Sequence, residues 1–326
     1  MPALRFPFPP ACRNLALMTA PSSQSPAALG GSPVTGILLV CGAMTVVPVM
    51  DGIAKHLSAE IPVLQIVWAR YTFHFLLLLP VLLLRYGSRA FSVPQPGLQV
   101  LRGGLLLGST LFFFAAIKTM PLADALALVF VSPLVVTALS PLVLKEPVGI
   151  RRWSAVVVGF LGALIIIRPG LGVFSGGALL ALGAGCVYGT YLLATRKLSR
   201  QAPPLITLGY TALLGAVVMT LLLPFVWVTP TWEQAAWMLA MGPIAAAGHF
   251  MLIKGFDYAE AAVLAPCTYF EIVMMTAVGY VAFGDFPDSW TWVGIAVIVA
   301  SGLYTSWRER VRKVPRPPDP TPRAPS

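Results

Sequence analysis

Charge is what this sequence has least of. Only 10% of its 326 residues are Asp, Glu, Lys or Arg, while 57% are hydrophobic. A soluble globular chain carries about 25% charged residues. So much apolar surface excludes a fold bathed in water on all sides. Histidine is scarce too: His56, His74 and His249 make no HExxH pair. No GxSxG elbow occurs, and Gly172-Val173-Phe174-Ser175-Gly176 misses that pattern. Gly284-Asp285 lacks the flanking glycine expected of an intramembrane aspartyl protease. The four cysteines, Cys12, Cys41, Cys186 and Cys267, form no CxxC, and the last three read as buried structural thiols. These absences argue against an enzyme. No catalytic residue, metal site or tightly bound cofactor is expected. The formal charge of +10 is scattered through short gaps and the C-terminal tail rather than gathered in a stripe, which argues against a nucleic-acid partner.

What is present is a succession of apolar runs, each about 20 residues long, the length that spans a bilayer as a helix. They predict helices over 33–54, 62–84, 98–117, 122–144, 150–168, 176–195, 205–228, 233–254, 261–283 and 289–307. The expected fold class is an all-α polytopic membrane protein with ten transmembrane helices. Lipid cannot satisfy free backbone groups, and the runs do not alternate as barrel strands would. Pro48, Pro133, Pro141, Pro224, Pro243 and Pro266 fall inside these spans and each is expected to favour a kink. Residues 1–32, rich in Pro, Ser and Ala, read as a disordered tail without a signal-peptide core, and Met18 is an alternative start. Residues 308–326 read as a basic, proline-rich, disordered cytoplasmic tail. No gap between spans can hold a soluble domain, so the activity must take place within the bilayer.

Lysine and arginine set the orientation. With the N-terminus in the cytoplasm, the outward segments hold only Lys55, Lys118 and Arg168. The inward segments hold Arg85, Arg89, Arg102, Lys145, Arg151, Arg152, Arg196, Lys197, Arg200 and Lys254, besides both tails. Positive-inside then places both termini in the cytoplasm.

The chain also repeats weakly. Laying residues 116–168 over 255–307 brings Trp153 onto Trp292, Thr137-Ala138 onto Thr276-Ala277 and Glu146 onto Asp285. Two five-helix halves are expected, 33–168 and 176–307. Five is odd, so the second half would enter the membrane in the opposite sense. Inverted repeats of this kind are a transporter architecture with the site where the halves meet.

At these residues the sequence resembles the ten-helix drug/metabolite transporter superfamily, EamA type. The resemblance lies in Leu144-Lys145-Glu146-Pro147 after the fourth helix and Phe283-Gly284-Asp285-Phe286-Pro287 after the ninth. It continues in Trp292-Val293-Gly294-Ile295-Ala296 through Ser301-Gly302-Leu303-Tyr304, and in Arg70, where members often carry a base. Glu146-Pro147 departs from the usual apolar or basic successor to the acid. Asp51-Gly52-Ile53-Ala54-Lys55, with Gln65 and Arg70, looks like members proposed to carry S-adenosylmethionine or riboflavin. The resemblance implies two EamA-like halves and alternating access by a small organic solute, in the inner membrane of a bacterium. The rival readings are a membrane-embedded enzyme and a helical partner subunit.

Polar residues inside spans are the site candidates, because a charge near the bilayer centre costs about 2.5–3.5 kcal/mol on insertion scales. Arg70 is a structural arginine bonding backbone carbonyls, an anchor for an anionic or carboxylate group of a substrate, or the partner of an acid. His74 lies one turn on, on the same face. Gln65, Trp68 and Thr72 form a strip on the opposite side, and the sequence does not say which strip faces a cavity. Glu271 is an acid in mid-span, suited to proton coupling or to binding, or paired with Arg70 or His249. Asp51 and Lys55, four apart, read first as a plain ion pair, and His249 first as a satisfied structural histidine. Tyr188 and Tyr269 are expected to line the cavity and suit planar or cationic solutes. Glu146 and Asp285 are read as structural loop acids. The expected partners are a small-molecule substrate, the lipid bilayer and, as a coupling ion, the proton. Monomer and homodimer remain open.

Overall fold

The computed structural model describes residues 32–87, 93–143, 148–167, 176–198, 203–259 and 261–313. The Met18 reading, the loop acid Glu146, Arg168 and most of both tails lie outside the described residues. Among the described residues there is no strand. The helices are α1 (Pro33–Leu57), α2 (Val63–Tyr86), α3 (Pro96–Ile117), α4 (Leu122–Val129), α5 (Ser132–Val143) and α6 (Ile150–Ile167). They continue with α7 (Gly176–Leu198), α8 (Pro204–Leu222), α9 (Trp232–Tyr258), α10 (Ala261–Leu264), α11 (Phe270–Phe283) and α12 (Ser289–Lys313). Starts and stops follow local chemistry. Thr231 and Gln234 form a capping box at α9, prolines open α3 and α8, and Gly284 closes α11 at φ 72°.

Nine segments among the described residues are long and apolar enough to cross a membrane, with α4–α5 counted as one. The last apolar stretch, Ser289–Tyr304, is shorter, and α12 runs on to Lys313. Residues 308–313, expected to be disordered, are therefore helical.

The fourth and ninth spans are not the single helices that their hydropathy predicts. The fourth breaks at Phe130 and Val131, between α4 and α5. Pro133 cannot donate to Val129, and its ring clashes with that carbonyl. The ninth passes through a 3-10 stretch, Ala265–Tyr269, that contains Pro266. Pro224 also acts: α8 stops at Leu222 and a 3-10 turn, Leu223–Phe225, follows, so this span ends earlier than expected. Pro48, Pro141 and Pro243 stay inside continuous helices, as does Pro80 in α2. Close backbone approach supports the first break. A Cβ on Gly185 of α7 would meet the Leu128 and Val129 carbonyl oxygens at 2.9 and 3.0 Å, so glycine lets α7 press against it.

The bundle is packed unequally along its length. At the end that carries Leu57, Ile61, Ile117 and Leu122, one continuous core unites residues of nearly every span, including Ile66, Phe114, Leu128, Ile167, Met241 and Ile298. At the opposite, basic end the buried apolar residues fall into two separate groups. Val40, Ala43, Met44 and Leu264 form one, and Leu78, Leu82, Ile206 and Leu208 the other. The first end is sealed and the basic end is split. None of the three described cysteines is fully buried, so the expectation of buried thiols fails: Cys186 is exposed, and Cys41 and Cys267 are half-buried.

Candidate functional site

Between the sealed core and the split end lies a central cavity of about 250 Å³. Its charged and imidazole groups are Asp51 (α1), Arg70 (α2), His249 (α9) and Glu271 (α11). Ser109, Thr110 and Phe113 of α3 and Tyr188 and Tyr191 of α7 complete its polar and aromatic wall, while Met44 and Leu252 line it on the side toward the basic end. A larger groove of about 560 Å³ opens between α1, α9 and α11. Its lining is mostly aliphatic, with His56 and Glu233 the ionisable groups. Convergent polar chemistry, rather than size, makes the central cavity the candidate.

Arg70 stands over the rings of Tyr71 and Phe114, 5.7 and 5.4 Å from their centroids. Among the described residues it forms no salt bridge. An arginine that ties helices together is found at Arg102, which the charge pattern assigns to a cytoplasmic segment. Arg102 is buried within α3. Its Nε donates to Thr195 Oγ1 at 2.8 Å, and Nη1 donates to Thr211 Oγ1 at 2.6 Å and to the Thr207 carbonyl at 3.3 Å. Its Nη2 donates to the Tyr191 hydroxyl at 2.8 Å. The sequence carried a signal for this network: Tyr191 and Thr195, and Thr207 and Thr211, are both four apart on helices that face α3.

Asp51 does not pair with Lys55, contrary to expectation. One helical turn separates them, but Asp51 turns into the cavity and is 4% exposed. Lys55 reaches across the sealed end to Asp285, 2.6 Å away, and donates to the Met120 carbonyl at 3.0 Å. Asp285, read from the sequence as a structural loop acid, has its partner on the first span.

Glu271 sits in the first turn of α11, directly after the 3-10 interruption, rather than in the middle of an unbroken helix. A carboxylate is favourably placed at a helix N-terminus. It makes no ion pair with Arg70 or His249 among the described residues. Ser132, its counterpart in the weak repeat, opens α5 just past the other break.

His249 lines the cavity and its Nδ1 donates to the Ala245 carbonyl at 2.8 Å. His74 lies behind it, with ring centroids 5.3 Å apart, and its Nε2 is buried without a partner among the described residues. Tyr188 is in the wall, its ring stacked on Tyr191 at 5.4 Å and 25°. Tyr269 is not in the wall: it stacks on Phe130 at 5.1 Å, bridging the two interrupted spans. On α2 the cavity faces the Arg70 side. Gln65 instead holds the Val228 backbone through two hydrogen bonds, and Trp68 donates to Thr220.

A multi-pass helical bundle with ionisable groups gathered in an internal cavity is an arrangement that membrane transporters use. The model of the EamA-like transporter family matches residues 34–168 and again 175–307, and the chain belongs to that family. It is 28% identical over 284 residues to a riboflavin transporter of Vibrio cholerae, covering 85% of this chain and 95% of that one. It is 26% identical over 260 residues to an S-adenosylmethionine uptake transporter of Rickettsia prowazekii, covering 80% and 88%. A pseudopaline exporter of Pseudomonas aeruginosa is 28% identical over 277 residues, with 83% and 96% covered. A solved crystal structure shares the fold with a TM-score of 0.60 at 20% identity, covering 86% of this chain and 99% of that one. The relatives' names are those of transporters of small metabolites, and the organisms are bacteria.

Proposed function

We propose that the protein is a secondary transporter that moves a small organic metabolite across the bacterial inner membrane by alternating access. Its working parts are two inverted five-helix halves, 33–168 and 176–307, giving ten spans with α12 as the last. Both termini face the cytoplasm. The split basic end is the cytoplasmic end and the sealed end faces outward, so the structure is an inward-facing state.

The observation that carries this reading is the placing of Arg70, Asp51 and Glu271 in one internal cavity, with no ion pair between Arg70 and either acid. Ionisable groups inside a membrane mark substrate and ion pathways. Arg70 would hold a carboxylate or other anionic group of the solute, and Asp51 or Glu271 a cationic one. The Tyr188–Tyr191 stack would take a planar ring. This set suits an amino-acid derivative or a nucleoside-like or flavin-like solute, in line with what the relatives are named for. Glu271, just past the 3-10 junction of an interrupted span, would couple transport to a proton.

The test is uptake and exchange in proteoliposomes. Labelled riboflavin, S-adenosylmethionine and amino acids are offered with and without a pH gradient. Saturable exchange of at least one solute is expected. Turnover without transport, or activity only with a second subunit, would overturn the proposal.

A further inference from the structure

We infer that Arg102 is a positioning residue for the central site. It fixes Tyr191, and through it the Tyr188 ring, as the wall for a planar solute that carries a hydrogen-bond acceptor. This rests on the reading of the central cavity as the transport site.

A buried cation ordinarily requires an acid. Among the described residues Arg102 has none, and neutral oxygens on α7 and α8 satisfy its planar fork instead. The polarity of that network is fixed. The Thr195 hydroxyl gives its proton to the Tyr191 carbonyl at 2.8 Å, and the Thr211 hydroxyl gives its own to the Thr207 carbonyl at 2.9 Å. Each therefore meets Arg102 with a lone pair. Tyr191 is gripped twice, because its hydroxyl accepts from Nη2 and its ring lies 4.8 Å from the guanidinium carbon.

Tyr191 differs from the threonines in one respect. Its hydroxyl accepts from Arg102, and among the described residues nothing takes its proton. That proton belongs to a side chain that lines the cavity. Donation from a guanidinium polarises the phenol and strengthens it as a donor. The wall therefore offers a stacked face and one charge-assisted donor. A carbonyl or ring nitrogen on a flat heterocycle complements both. The solute itself never touches Arg102.

The test uses the full chain in nanodiscs and proteoliposomes. Tyrosine is replaced by 3-fluorotyrosine, and the ¹⁹F resonances of residues 188 and 191 are assigned by Tyr188→Phe and Tyr191→Phe. In Arg102→Met both resonances should shift, while those of Tyr86 and Tyr258 stay in place. For labelled riboflavin, KM should rise about tenfold, the loss expected of one charge-assisted hydrogen bond, with Vmax within about twofold. Arg102→Lys, which keeps the charge but lacks the fork, should recover only part of the KM. Tyr191→Phe should reproduce the KM rise by itself, and Arg102→Lys, read by the same two resonances, replaces Arg102→Met should that chain fail to assemble. Unmoved resonances, or a fall in Vmax at constant KM, would overturn the inference and leave Arg102 a helix clamp. A wild type that transports none of the solutes would sink the proposed function, and the resonances would then decide the positioning role alone.

Discussion

The ammonium of Lys55 lies 2.6 Å from the carboxylate of Asp285, although more than two hundred residues separate them in the chain. The pair joins the end of the first span to the loop after α11, and Lys55 adds a bond to the Met120 carbonyl and a contact with the Phe283 ring at 5.0 Å. It ties these segments together at the sealed end, one helical turn along α1 from the cavity residue Asp51.

A latch in that position predicts a shift in the balance of states. Such a pair, with side chains 14% and 31% exposed, is worth about 1 kcal/mol, or roughly fivefold in an equilibrium. Asp285→Ala should therefore raise labelling of a cavity cysteine at position 109 by an external, membrane-impermeant maleimide about fivefold. The charge-reversed pair Lys55→Glu with Asp285→Lys should return it toward the wild-type rate. An unchanged labelling rate in Asp285→Ala would show that the pair does not hold the outer side shut.

Orientation is tested in intact cells on a chain freed of its native cysteines. New cysteines at the exposed positions 59 and 229 should react with an impermeant reagent, and those at 87 and 149 only after the cells are opened. The reverse pattern would invert the assignment of sealed and basic ends.

Glu271→Gln removes the charge and the capacity to carry a proton while keeping the shape. If Glu271 couples transport to protons, the variant should still exchange labelled for unlabelled solute but lose accumulation driven by a pH gradient. A steep fall in binding would assign Glu271 to a cationic group of the solute instead. Wild-type behaviour in both assays would leave it a packing residue.

Hydropathy made the spans legible because a bilayer requires long apolar helices, and it fixed most ends to within a few residues. It did not reveal the breaks at Phe130–Val131 and Ala265–Tyr269, since an interrupted span is as apolar as a whole one. Proline was the available signal, but Pro133 and Pro266 break a helix while Pro48 and Pro243 do not. The outcome depends on neighbours such as Gly185, which are remote in sequence. The same limit governs the charges. Asp51, Arg70, His249 and Glu271 were recognisable as costly inside a membrane, and all four line the cavity. Partner choice was not: helical spacing favoured Asp51 with Lys55, and Lys55 reached Asp285 because the fold brings α1 beside α11. Arg102 lies near a predicted helix end, where its charge reads with those of the loops, although its acceptors lie on α7 and α8.

Arg70 is the most direct point of attack, because it lines the cavity as the solute's proposed anchor while Arg102 acts only through Tyr191. The decisive measurement is counterflow in proteoliposomes: labelled riboflavin or S-adenosylmethionine outside, the same unlabelled solute inside, with wild type, Arg70→Ala and Arg70→Lys compared at equal reconstituted amounts. Loss of a charge-assisted bond to the solute corresponds to about 1.5–3 kcal/mol, so Arg70→Ala should reduce exchange at least about tenfold while the protein remains folded in the membrane. Arg70→Lys should restore only part, lacking the planar fork. Full exchange by Arg70→Ala would contradict the account and return Arg70 to a purely structural role.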